Sequence, residues 1–197
     1  MAKTKGTTIV GLVKFLRRQR EAAATALPGH LLHYLDERVH VSTWYPEQDL
    51  LDLARVVAPM LAASVEHPYE AMGRVSAREH LGGSYAHLFE AVEDPLAIPA
   101  RAFALWASMH DSGRLDTVVE PPDAVRVELS EFALPSREMC GIVGGYLAET
   151  LRVVGFAAPR AEKIACRLDG APRCGWRCSF VAGEGVTAPP AERTAGR

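Results

Sequence analysis

The sequence has no long apolar run. Near the N-terminus Lys3 and Lys5 precede Thr7-Thr-Ile-Val-Gly-Leu-Val13, but Lys14 and Arg17-Arg18 interrupt that stretch before it reaches the length of a signal-peptide core or a membrane span. The expectation is a soluble, cytoplasmic protein. Charge of one sign is also missing: 22 Lys and Arg stand against 24 Asp and Glu, for a net charge of -2, and the basic residues are spread along the chain. That distribution excludes a generic nucleic-acid surface. Cysteine is scarce, with 4 residues, and in a cytoplasmic chain these are expected to be reduced rather than bridged. No Gly-rich phosphate loop, nucleophile elbow or pair of catalytic carboxylates occurs, so a hydrolase or transferase has no residues to support it. The reading is of a protein that is not an enzyme.

A chain of 197 residues can bury one substantial core. A single α+β domain over 1–182 is expected, followed by a disordered tail, 183–197, rich in Gly, Ala, Pro and charge. Ile9, Leu12, Val13 and Leu16 recur at helical spacing and predict an opening helix over 8–26. Leu27-Pro28 starts a second helix with Leu31, Leu32 and Leu35, which gives way to an extended Val39-His-Val-Ser-Thr-Trp-Tyr-Pro46. Further helices are predicted over 47–63, from Pro68 to about Ala91, and from Pro95 to Met109. The pattern then turns to strands. Leu115-Asp-Thr-Val-Val119 and Ala124-Val-Arg-Val-Glu-Leu129 form a hairpin through Pro121-Pro122-Asp123. Ser136 is placed to cap a helix whose stripe of Met139, Ile142, Val143, Tyr146, Leu147, Thr150, Leu151 and Val154 would lie across a sheet. In the last hairpin Ile164, Cys166 and Leu168 are expected on one buried face, opposite Cys174, Trp176, Cys178 and Phe180. The fold class that results has N-terminal helices packed on a four-stranded antiparallel sheet, made of two hairpins with an intervening helix.

Several strings together carry a resemblance: Lys5-Gly-Thr-Thr-Ile-Val, Trp44-Tyr-Pro46, Gly73-Arg-Val-Ser-Ala-Arg-Glu79, Leu105-Trp106 with Asp111-Ser-Gly-Arg-Leu115, Gly144-Gly-Tyr-Leu147 and Cys166-Arg-Leu-Asp-Gly-Ala-Pro-Arg-Cys174. From Lys5 to about Phe180 the chain resembles a myxobacterial family of small proteins of unknown function, itself similar to 4-vinyl-reductase-type and heme nitric-oxide/oxygen-binding folds. The resemblance implies a ligand-sensing or scaffolding module. It names no ligand.

Candidate site residues follow. Trp106 and His110 are one helical turn apart, so an aromatic face and a polar tip share one side of a helix and could grip an aromatic or planar ligand; Trp44 and Tyr85 are expected to join them. The bland alternative makes Trp106 a core residue and His110 a helix-end histidine. The sequence thus carries two functional readings, a sensor for a small hydrophobic or aromatic molecule and a dimerising scaffold with a filled interior. The cysteines also have two: Cys140, Cys166 and Cys174 as metal ligands, or as small buried hydrophobes. In phenol-sensing regulators that the chain resembles, such cysteines hold a structural zinc with a glutamate shortly before the middle one. Here that place holds Lys163, with Glu162 one residue off and Cys178 as another fourth candidate. Heme has His110, His87 and His80 as conceivable axial ligands. The Tyr-x-Ser-x-Arg string that holds propionates in heme sensors is missing, so heme is not expected. Arg74, Arg78, Glu79 and His80 are expected to form a solvated face.

Overall fold

The computed structural model describes residues 1–88, 98–120 and 124–181. The predicted helix start at Pro95, the helix end at Ala91, the Pro121-Pro122-Asp123 loop and the 183–197 tail lie outside the described residues. Strand β1 (Lys3–Lys5) pairs antiparallel with β2 (Trp44–Pro46). Helix α1 (Gly6–Arg18) buries Ile9, Val13 and Leu16 as its periodicity predicts. The expected single helix over 8–26 breaks at Gln19, and a short α2 (Arg20–Ala26) follows. Gly29–Leu35 is a 3-10 turn instead of a regular helix, held by Arg17 and Arg20, whose guanidinium groups donate to the carbonyls of Tyr34 and Leu35. The tighter turn rotates Leu32 outward while Leu31 and Leu35 stay buried.

Helix α3 (Glu47–Ala62) turns Leu50, Leu53, Ala54 and Val57 inward, and α4 (Pro68–Leu81) stops at Gly82 rather than continuing towards Ala91. Two adjacent glycines cost a helix about 1 kcal/mol each, enough to end one that has no packing partner there. Helix α5 (Ile98–Met109) leads into β3 (Arg114–Glu120). Then come β4 (Ala124–Ser130), α6 (Arg137–Val153), β5 (Ala157–Ala165) and β6 (Cys174–Val181). The four long strands form an antiparallel sheet in the order β3-β4-β6-β5, so the predicted α+β class of two hairpins around a helix is the observed one.

Helix α6 starts as predicted, with the Ser136 hydroxyl accepting from the backbone N–H of Met139 at 3.0 Å. It lies on the sheet and is also crossed by α4 at unusually close range. A Cβ added at Gly73 would come within 2.0 Å of the Ile142 carbonyl oxygen, and one at Gly145 within 2.0 Å of the Glu70 carbonyl oxygen. Only glycine lets these backbones touch.

The last hairpin departs from expectation. Its first strand begins at Ala157 and ends at Ala165, with Lys163 opposite Trp176, so residues 161, 163 and 165 face inward and Ile164 is 48% exposed. Leu168 lies in a 3-10 turn and is 47% exposed, while Cys166 is buried. A shift of one residue exchanges the two faces of a strand, which is why the expected Ile164–Cys166–Leu168 face does not exist.

Candidate functional site

Between α1, α4, α5 and α6 lies a cavity of about 100 Å³. Its walls are apolar, with Leu12, Leu50, Met72, Leu105 and Met139 among them, and Leu115 of β3 is the sheet's contribution. The site therefore sits mainly among helices. Trp106 and His110 line it together, as their spacing predicts, with rings stacked at 4.1 Å and 19°. The Trp106 indole N–H donates to the Ser112 carbonyl at 3.0 Å, fixing its plane.

His110 is anchored from the opposite end of the chain. Its Nδ1 lies 3.0 Å from Oε1 and 3.2 Å from Oε2 of Glu47, the first residue of α3, whose side chain is fully buried. A carboxylate only accepts, so Nδ1 carries the hydrogen, and the bond to Glu47 leaves Nε2 unengaged. Buried Thr4 of β1 donates to the Met109 carbonyl at 3.0 Å and forms a bridge with His110, while Lys3 and Asp111 exchange hydrogen bonds through Lys3 N to Asp111 Oδ1 and Asp111 N to Lys3 O. The N-terminal strand thus clamps the end of α5. Glu47 and Thr4 were not among the residues singled out from sequence. An acidic residue in the first turn of a helix ordinarily reads as a dipole partner at the surface.

The other two predicted residues stand apart from the cavity wall. Trp44 is 39% exposed on β2, with the Lys5 ammonium 4.2 Å above its ring. Tyr85 packs edge-on against His80 at 5.9 Å, in a small cluster with Leu81, Leu105 and Met109. His80 corrects the expected solvated face: it is buried and lines the cavity. Its Nε2 meets the Thr7 carbonyl and its Nδ1 the Tyr146 hydroxyl, both at 3.2 Å. A carbonyl accepts, so Nε2–H donates and Nδ1 accepts from Tyr146. Burial, the largest cause, holds the His80 pKa below its ordinary value against the upward pull of the Thr7 carbonyl. Burial likewise raises the Tyr146 phenol above the ordinary range.

The cysteines behave as a group. The sulfurs of Cys140, Cys166 and Cys174 lie within 4.8 Å of one another, the convergence that a thiolate metal centre requires, while Cys178 is buried elsewhere on the sheet and its thiol is pushed up to about 12 by burial. Tetrahedral zinc needs a fourth donor. At the place where the resemblance calls for a glutamate stands Lys163, its Nζ buried without a hydrogen-bond partner and 3.5 Å from the centroid of the Trp176 ring. The donor set among the described residues is three sulfurs and a cation, which does not complete a zinc site.

No family model matches the sequence, and a search of curated proteins finds no match. Solved structures do match in fold. The chain is similar to a doubly substituted variant of the Tt H-NOX protein at 15% identity, with 95% of this chain and 100% of that one covered and a TM-score of 0.63. It is also similar to an oxygen-binding H-NOX domain related to soluble guanylate cyclases, in its oxygen complex, at 14% identity, covering 91% and 96% with a TM-score of 0.60. A third is the H-NOX protein from S. oneidensis in the Fe(II)NO ligation state, at 14% identity, covering 89% and 98% with a TM-score of 0.56. At these identities the likeness is one of fold.

The likeness overturns the expectation against heme, because structures that share this fold hold Fe(II) ligated by NO and a heme whose porphyrin the protein distorts. The missing propionate string tested one short local motif, whereas the cavity is assembled from helices far apart in sequence. In this lining a heme iron would find one nitrogen donor. Of the three histidines considered, His87 is exposed and His80 has both ring nitrogens engaged, while His110 retains Nε2. The apolar walls suit a porphyrin face. No Lys or Arg lines the cavity among the described residues, and its volume of about 100 Å³ requires the walls to part for a ring of that size.

Proposed function

We propose that this chain is a non-enzymatic sensor module that binds a small, largely apolar molecule in the cavity between α1, α4, α5 and α6. The observation that carries the reading is the polar corner of that cavity. A stacked Trp106–His110 pair, held by the buried Glu47, sits in an otherwise apolar enclosure, the arrangement by which pockets fix a ligand's orientation. An apolar cavity of about 150 Å³ is known to bind benzene, so a slightly enlarged version of this one suits a single aromatic ring. The alternative of a dimerising scaffold called for a filled interior, and the cavity weighs against it.

Heme is one ligand within this reading. His110 would supply a nitrogen ligand to the iron, Glu47 would orient its ring, and the leucine and methionine walls would exclude water. When bound, heme would supply an iron that a diatomic gas can ligate.

The test combines native mass spectrometry of the purified protein, to find a retained molecule, with separate titrations by hemin and by indole. A hemin Soret band that His110→Ala loses identifies a heme sensor. A thermal shift with indole that Trp106→Ala loses, together with no Soret band, identifies a sensor for small aromatics. No retained molecule and no response to either probe would overturn the proposal in favour of the scaffold.

A further inference from the structure

The three converging sulfurs do not close a zinc site, and what surrounds them suits different chemistry. Sγ of Cys140 and Sγ of Cys174 are 3.8 Å apart, in van der Waals contact. Cys140 lies in the first turn of α6 and is half-buried, whereas Cys174 begins β6 and is buried. The buried Lys163 brings a positive charge that acts on both. A small cleft of about 10 Å³, room for roughly one water-sized molecule, is bounded by Ser136, Cys140, Arg167, Cys174 and Trp176.

We propose that Cys140 and Cys174 form a reversible disulfide on reaction with hydrogen peroxide that reaches the sulfurs from this cleft. The geometry supplies two thiols in contact, a cation and a cleft that borders both sulfurs. Either sulfur can attack, because both border the cleft. The attacking thiolate takes one oxygen of hydrogen peroxide as a hydroxyl: an S–O bond forms, the O–O bond breaks, and the other oxygen leaves as water after gaining a proton. The second sulfur then gives up its proton and attacks the sulfenic sulfur, forming the S–S bond and releasing the oxygen as water. Two thiols are oxidised by two electrons, and one peroxide is reduced. Closure to a bond of about 2.0 Å draws the start of α6 towards β6, across the cleft.

The experiment treats the full chain with equimolar hydrogen peroxide and maps peptides without reduction. The expected product is a Cys140–Cys174 cross-link with the loss of two hydrogens, undone by dithiothreitol. Cys140→Ser and Cys174→Ser should each instead leave a sulfenic acid on the remaining cysteine that dimedone traps, and Lys163→Met should slow oxidation by about tenfold or more at neutral pH. Unchanged thiol titre after peroxide, or a cross-link only between separate chains, would overturn the proposal. So would protein that carries one thiolate-bound zinc per chain and resists oxidation until chelated. The wild-type mapping decides the matter even if a variant fails to fold.

Discussion

Glu47 and His110 show how much rests on a single pair. Both side chains are almost wholly removed from water, and their hydrogen bond joins the start of α3 to the end of α5. Removing one partner of such a pair strands the other in a medium that solvates it poorly. His110→Leu should therefore cost about 3–5 kcal/mol in urea unfolding, while Glu47→Met with His110→Leu together should restore most of that loss. A single substitution costing under about 1 kcal/mol would show that the pair is not isolated from water. His80 makes a separate prediction, in pH. Its folded pKa lies below the ordinary 6.5, so the unfolded chain takes up the proton first as the medium is acidified. The stability it contributes is complete above 6.5 and is lost as pH falls through the lowered native value. Melting temperatures from about pH 8 to pH 5 should drop more steeply for the native protein than for His80→Gln. Parallel curves would remove His80 as the cause.

Among the elements, α6 is the one on which the others converge. Its Ser136 cap was legible because capping is local chemistry, a hydroxyl three residues from the N–H it accepts from. Its crossing with α4 was not legible. Glycine inside a helix ordinarily weakens it, and only the packed structure shows that Gly73 and Gly145 are where the two backbones meet. Gly145→Ala should force the helices apart at a cost of about 3 kcal/mol or more, lowering the melting temperature by roughly 6–12 °C. A variant that melts with the native protein would show that the crossing is loose. The last hairpin teaches the converse about periodicity. Alternation correctly marked two strands, but the phase of β5 depends on its pairing with β6, where Lys163 meets Trp176. That one-residue offset hid the inward lysine among the cysteines.

For the whole molecule, ligand binding and folding are linked. A molecule that occupies the cavity at about 100 times its dissociation constant should stabilise the fold by about 2.7 kcal/mol, or roughly 5–11 °C. Differential scanning fluorimetry with and without ligand measures it, and a rise of the same size in Trp106→Ala would place binding elsewhere. The sequence by itself determined what depends on near neighbours: the helical and strand character of most segments, the order of two hairpins around a helix, the cap at Ser136 and the pairing of Trp106 with His110 on one helical face. The tertiary structure decided what depends on elements distant along the chain. Glu47 reaches His110 across 63 residues, Thr4 reaches Met109 across 105, and Cys140 meets Cys174 across 34. Periodicity records which face of an element is buried but not what it is buried against, and a cavity, an anchored histidine and a thiol pair are all made of what lies opposite.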